Sequence, residues 1–455
     1  MRLWSLIRNQ EVLLVFTYAP AGLGHLRVTD ALFDGVPGES SGLILGSHDK
    51  SIGWIHRMMS SYVPLRVLME TFQQGSLEDV YCFFYRLYLR EASQVVREQM
   101  KTILDQSLEK PKVVLIVATH FGLAHQLAAI KKELEKEEKT RIILVVQVTD
   151  DSPQRIWYVP GADITMVPSE KTKLELEKVG VEDHLEKIPI VVQPYPISPQ
   201  MTARLTPGKY KLRQEQLKFG GKEKVEVAVP VSGAAVGLEY LMELMDEVAA
   251  FSDRFVFNVI AKYAPYTKPY IHRMLERPYE DLILADKDRE AVSRYEQLYQ
   301  EKVVGLEITK PSEQAFKVLT TPDRVGGVVM LFSKPVGRQE YDNLDFMRRH
   351  KLIPSAVEQN KMEKMTRAED WLEGSKLEKW RKKARNWRGL CLPWKSGKEG
   401  ALFIRWALKN GLLYEMCAER EVGKDEAVRR GYEVGDYGVK KFWELMDQLV
   451  AERMV

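Results

Sequence analysis

The stretch "VLLVFTYAPAGLGHLRVTDAL" (residues 12–32) decides how the chain is read. Seven residues, mostly apolar, carry it as far as Tyr18. A Pro/Gly turn follows, and then a helical pattern with Leu26, Val28 and Leu32. Strand, glycine turn and helix in that order open a βαβ unit. Gly22 and Gly24 remove side chains where the backbone turns sharply, which lets main-chain N–H groups approach a phosphate or a sugar. His25 falls in the first helical turn, beside that point of approach.

The same rhythm continues downstream. "KVVLIVATH" (112–120), "RIILVVQVTD" (141–150), "DITMVPS" (163–169) and "EKIPIVVQP" (186–194) read as further strands. Unbroken β-branched runs indicate strands covered on both faces, as in a parallel sheet. Between them "GLAHQLAAIKKELEKEEK" (122–139) repeats Leu123, Leu127, Ile130 and Leu134 at helical spacing. Residues 53–96, rich in methionine and aromatics, break the rhythm and read as a helical insertion. The proline-rich segment 194–208 reads as a linker, because proline fixes φ and removes donors. A second α/β series follows: strands at 224–233, 254–263, 326–337 and 389–394, and helices at 238–251 and 399–411. The expected architecture is α/β, two Rossmann-like domains facing across a cleft. The first covers 1–205. The second covers 206–411, with an insertion near 355–388. A helical tail, 412–455, is expected to pack back on the first domain.

Bulk composition narrows the class. At 455 residues the chain exceeds one ordinary core, and 45% hydrophobic with 29% charged residues is a globular mixture. Lys+Arg minus Asp+Glu is 67 − 64 = +3, too small an excess to point to nucleic acid. Cys82, Cys391 and Cys417 are too few and too scattered for a disulfide framework or a zinc site, which fits a reducing cytoplasm. No signal peptide or spanning helix is expected. His120 and His125 stand five apart, poor metal spacing, so no metal site and no cofactor are expected.

Both halves open on a strand and a glycine turn, "TYAPAGLGH" and "VPVSGAAVG". In open parallel sheets, ligands bind beyond the carboxyl ends of the strands, so two such halves suggest transfer of a group between two substrates. Neither turn spells a dehydrogenase fingerprint, and no GxxxxGK[ST] loop is present. Four features together resemble the GT-B glycosyltransferases of the diacylglycerol glycosyltransferase type. These are similar to galactolipid synthases and to the peptidoglycan N-acetylglucosaminyltransferase. "AGLGH" resembles their glycine-rich turn through Gly22, Gly24 and His25. "VVQVTDDSPQRIWYVPGADITMVPS" resembles their VVTD block through Asp150, Trp157 and Asp163. "IPIVVQP" resembles the segment before their linker. "FSKPVG" and "LPWKSGKEGALFIRWALKNG" resemble their two donor blocks, through Lys334, Pro335, Gly337, Pro393, Glu399 and Gly400. The chain departs from those blocks in Gln154, in Arg338–Gln339–Glu340 and in Ala401.

The resemblance implies metal-independent, inverting transfer from a nucleotide-sugar, UDP-linked in the first instance. It implies His25 and Asp150 as candidate catalytic bases, with Gly22, Gly24 and His120 on the acceptor side. It implies donor-binding residues Ser232, Gly233, Lys334, Pro335, Gly337, Ser396, Gly397 and Glu399, with Glu340 or Asp342 as the carboxylate that grips the ribose. A basic run with interleaved tryptophans, "KLEKWRKKARNWRGLCLPWK" (376–395), suits an anionic bilayer. So a lipid or membrane surface is the expected partner, and the cytoplasm or the inner face of the plasma membrane the expected location. Two other functions compete: a UDP-N-acetylglucosamine 2-epimerase-like isomerase, and a binding or scaffolding protein with a decayed donor site.

Overall fold

A computed structural model describes residues 11–18, 23–38, 42–46, 88–89, 93–107, 110–231, 235–278, 280–332, 334–335, 337–369, 371–418 and 433–454. The chain divides into two compact units. Unit 1 is Met1–Pro199 with Tyr437–Val455, and unit 2 is Gln200–Asp436. Most of the predicted insertion at 53–96, Gly22, Ser232 and Gly233 lie outside the described residues.

Unit 1 is built on a six-stranded parallel sheet. Its strands are β1 (Val12–Tyr18), β2 (Leu43–Gly46), β3 (Val113–Ala118), β4 (Arg141–Gln147), β5 (Ile164–Val167) and β6 (Ile190–Val192), in the order β2-β1-β3-β4-β5-β6. β1 runs beside β3 from Val12↔Val113 to Thr17↔Ala118. All six residues of β3 are buried, as a strand covered on both faces requires. The helix Phe121–Glu138 buries Leu123, Leu127, Ile130 and Leu134, the stripe its spacing predicts. The C-terminal helix Gly438–Met454 belongs to this unit. Trp443 is buried, its ring lies 6.0 Å from Phe16, and its Nε1–H donates to the Leu32 carbonyl at 3.0 Å. Gly438 enters against the Pro194 and Tyr195 carbonyls, each 2.4 Å from where a Cβ would stand, so only glycine starts the helix there.

Unit 2 repeats the plan. Its strands are β7 (Val225–Pro230), β8 (Phe255–Lys262), β9 (Glu280–Ala285), β10 (Leu306–Thr309), β11 (Val328–Leu331) and β12 (Gly389–Cys391), ordered β12-β11-β10-β7-β8-β9 and all parallel. Counted within the unit this is 6-5-4-1-2-3, the doubly wound order, which reverses direction between β7 and β10. In unit 1 the reversal falls between β1 and β3. Sequence reading missed β2, β9 and β10. β9 lies at a sheet edge with every residue but Ala285 half-buried or exposed, and β10 is only four residues long. Neither presents the apolar run by which the others were recognised.

The segment near 355–388 folds as two helices, Ala356–Arg367 and Gly374–Ala384, the first closed by a capping box of Ser355 and Glu358. This corrects the expected membrane-facing tryptophans. Trp380 and Trp387 are 8% and 3% exposed, lie 6.2 Å apart and belong to the unit 2 core. Arg388 is buried as well and donates to the Trp387 carbonyl. Of the interleaved aromatics only Trp394 stays at the surface. No described helix is long and apolar enough to cross a membrane.

Candidate functional site

Three strand exits meet at the reversal point of unit 1. His25 stands in the first turn of the helix Leu23–Asp34 after β1, Thr119 and His120 follow β3, and Thr149 and Asp150 follow β4. His25 Nδ1–H donates to the Thr119 carbonyl at 2.6 Å, with Thr149 Oγ1 3.3 Å from the same nitrogen. A carbonyl can only accept, so Nδ1 carries a hydrogen, and in the neutral imidazole the lone pair falls on Nε2. Threonines brace the residue from below. The Thr29 hydroxyl donates to the His25 carbonyl at 2.8 Å and lies 2.7 Å from the Thr119 hydroxyl. The imidazole is half-buried, 5.0 Å from the His120 ring and 6.2 Å from the buried Trp157. Its tautomer and orientation are therefore set by the fold.

The other candidates of this unit divide by role. His120 is 2% exposed and caps the helix Phe121–Glu138, its Nδ1 accepting from the Gly122 N–H at 3.2 Å. It stacks on Phe121 at 4.5 Å, so it walls the His25 ring while serving the helix. Asp150 is half-buried and its carboxylate accepts the Ser152 N–H at 3.1 Å, which shapes the loop after β4. Thr149, one residue earlier, is the member of that loop that reaches His25. Asp163 accepts the Leu144 N–H at 2.8 Å and pairs with Lys131 and Arg453, so it ties β4 to the C-terminal helix. Gly24 lies beside His25 in the first turn of its helix. Sequence reasoning missed Thr29, Thr119 and Thr149, whose only sequence signal is position: Thr119 and Thr149 just past a strand exit, Thr29 one helical turn beyond His25.

In unit 2 the matching edge runs along the exits of β7, β10, β11 and β12. After β7, Ala235 (φ +52°) and Gly237 (φ +80°) hold the left-handed conformation, and Gly237 faces Phe332 where a Cβ would stand 2.7 Å away. After β10, Lys310 forms a buried ion pair with Glu340, in the first turn of the helix Gly337–Arg349. Asn343 Nδ2 straps the same helix to the Pro311 carbonyl at 3.3 Å. Asp342 pairs with Arg338 at 3.4 Å. After β11, Lys334 is exposed, Pro335 half-buried, and Gly337 starts the helix at φ +77°. Lys334 Nζ stands 5.6 Å from the centroid of the Trp394 ring, just after β12.

The last donor block turns out to be engaged in helix packing. Ser396 Oγ accepts the Glu399 N–H, and the Gly397 N–H donates to Glu243 at 2.6 Å. Glu399 pairs with Arg367 at 3.2 Å. A Cβ on Gly397 would stand 2.4 Å from the Leu244 nitrogen, and one on Gly400 2.3 Å from the Tyr240 hydroxyl. Glycine is needed at both for the helices Leu238–Phe251 and Gly397–Lys409 to touch. Tyr240, nearly buried between them, has its hydroxyl pushed far above the usual phenol range by burial, with Glu243 and Glu399 adding to the effect. Lys310 was missed because a lone lysine after a four-residue strand carries no motif.

No family model matches the chain, and no curated protein matches it in sequence. Solved structures share its fold over nearly their whole length at low identity. A UDP-GlcNAc 2-epimerase from Neisseria meningitidis bound to UDP-GlcNAc is 11% identical, covers 96% of this chain and 99% of its own, and superposes with a TM-score of 0.46. Anabaena HepE in complex with UDP and glucose is 11% identical, with 97% and 98% covered and a TM-score of 0.40. A UDP-glucosyltransferase from Polygonum tinctorium is 12% identical, with 95% and 98% covered and a TM-score of 0.38. At these identities and TM-scores the likeness assigns no activity.

Proposed function

We propose that this protein is a glycosyltransferase, moving a sugar from a nucleotide diphosphate, UDP in the first instance, to a hydroxyl of a lipid or other acceptor. The observation that carries this is the His25 imidazole. It stands at the strand-order reversal of a parallel sheet, where ligands gather, with Nδ1–H committed to Thr119, so that the neutral imidazole carries its lone pair on Nε2. That is the state of a general base. The motif resemblance supplies the reaction class. His25 takes the proton of the acceptor hydroxyl as its oxygen bonds to the anomeric carbon. The bond from that carbon to the diphosphate breaks, and its electron pair leaves on the phosphate oxygen. Lys334 and the backbone N–H groups at 235–237 and 337–338 are suited to take up that charge, since helix starts and left-handed turns favour anions. Asp150, half-buried one residue past Thr149, is the second candidate base, and one displacement of this kind inverts the anomeric centre.

Isothermal titration of the full chain with UDP tests the donor half directly. Saturable binding that Lys334→Ala weakens supports the proposal. Absence of UDP binding at millimolar concentration overturns the UDP donor.

A further inference from the structure

Trp394 stands outside the packed core of unit 2. It is 60% exposed directly after β12, while Trp380, Trp387 and Trp406 of the same unit are buried. Among the described residues the ammonium of Lys334 stands over its face, 5.6 Å from the ring centroid. A solvated indole holding a lysine over its face keeps an electron-rich, apolar platform open at the edge where the unit would take its ligand.

We propose that the Trp394 indole is the platform for the sugar ring of the donor. This rests on the glycosyltransferase reading above. Strand order gives the direction. Along the edge, Lys310 lies at the β10 exit and holds Glu340 of the helix after β11, Lys334 and Gly337 lie at the β11 exit, and Trp394 at the β12 exit. A nucleotide-sugar has a fixed order too: base, ribose, diphosphate, sugar. With the ribose at Glu340 and the diphosphate at Lys334 and the start of the helix Gly337–Arg349, the next group outward is the sugar, and the next residue is Trp394. One face of a hexopyranose is lined by C–H groups of slight positive polarity, which suits the negative face of an indole. The anomeric carbon gains positive charge as its bond to the diphosphate lengthens. A ring that already attracts an ammonium would favour that charge as well. Lys334 leaves the indole for the phosphates, so one movement clears the platform and neutralises the leaving group.

The test compares ligands with and without the sugar on the full chain. UDP, UDP-glucose, UDP-galactose and UDP-N-acetylglucosamine are titrated into the wild type, Trp394→Phe and Trp394→Leu. In the leucine variant the best-bound UDP-sugar should weaken about tenfold, the reach of one aromatic contact, and the phenylalanine variant should keep part of the affinity. UDP itself should bind all three alike, which also shows that the variants are folded. Equal weakening of UDP and UDP-sugar places the ring under the nucleotide and overturns the sugar assignment. Unchanged UDP-sugar binding in the leucine variant overturns it too, while leaving the donor reading intact. Wild-type protein that binds no UDP sinks the donor reading and this proposal together.

Discussion

The two sheets share a plan, but their ligand edges use their polar residues differently. In unit 1 the residues singled out by the glycine turn and the strand exits come together: His25 and His120 are ring to ring, and His25 is fixed by Thr119 and Thr149. In unit 2 the donor-like residues scatter. Ser396, Gly397, Glu399 and Gly400 serve a helix–helix contact, and Glu340 is neutralised by Lys310. A glycine or a first-turn acid has strong structural uses of its own, so its presence in a motif says little about a ligand. A partly buried imidazole with one nitrogen committed to a carbonyl has fewer.

The contrast is sharpest at two positions. His25→Ala should lower transfer about 10²–10⁴-fold, the usual contribution of a general base, with folding intact by circular dichroism. His25→Gln, which can keep the Thr119 bond but cannot take a proton, should lose as much. A glutamine variant with near-wild-type turnover would reduce His25 to a structural brace. Gly397→Ala is the opposite case. The new methyl meets the Leu244 nitrogen and Tyr240 carbonyl, backbone atoms that cannot give way. It should cost about 3 kcal/mol of stability by urea denaturation, with UDP affinity unchanged in the folded fraction. Lost UDP affinity at unchanged stability would return this block to the donor site.

What could be read in advance followed from burial. Strands buried on both faces announce themselves as apolar runs, and β1, β3, β4, β7 and β8 were found on that signal. The helix Leu238–Phe251 was placed to the residue. The edge strand β9 and the short β10 gave no such run. Within the site, His25 was legible because a glycine turn led to it. Thr119 and Thr149 were not, because their parts are set by strand order, which brings them to His25 from 94 and 124 positions away, and Lys310 was not, because it follows a strand too short to announce itself. The tryptophans of 376–395 misled for the converse reason. Seven-residue spacing puts Trp380 and Trp387 on one helical face, and nothing in the spacing says whether that face meets lipid or core.

Glu280 separates a perturbed group from a functional one. Burial, with Asp246 adding to it and Arg277 opposing, pushes its carboxyl up to about 8 from 4.5. Both its oxygens and the nearby Tyr270 hydroxyl are buried without a hydrogen-bond partner. Such a shift commonly nominates a site, yet Glu280 begins β9, at the end of the sheet opposite the ligand edge. Between pH 4.5 and about 8 the folded chain keeps a proton that the unfolded chain has released. The group's stabilisation is complete at low pH and is lost as pH rises through about 8. Glu280→Gln should therefore stabilise the protein by roughly 2 kcal/mol at pH 9, the cost of a buried charge without donors, and by much less at pH 5. A change in UDP affinity in this variant would break the assignment of ligand binding to the strand exits.

The smallest effect probes the turn after β7. Ala235 holds φ +52°, a conformation that crowds any Cβ by about 1–2 kcal/mol. Glycine would relieve this strain but would also give the unfolded chain more freedom, worth about 0.4–1 kcal/mol in the other direction. The expected net gain for Ala235→Gly is roughly 0.5 kcal/mol in urea denaturation. The affinity outcome carries more information than the stability. If the turn's backbone N–H groups are held ready for a phosphate, loosening them should weaken UDP and leave uridine unaffected. A variant that gains stability and binds UDP as before would make this turn a connection between β7 and its helix, like the glycines at 397 and 400, and would leave Lys334 and the start of the helix Gly337–Arg349 as the phosphate-holding elements of unit 2.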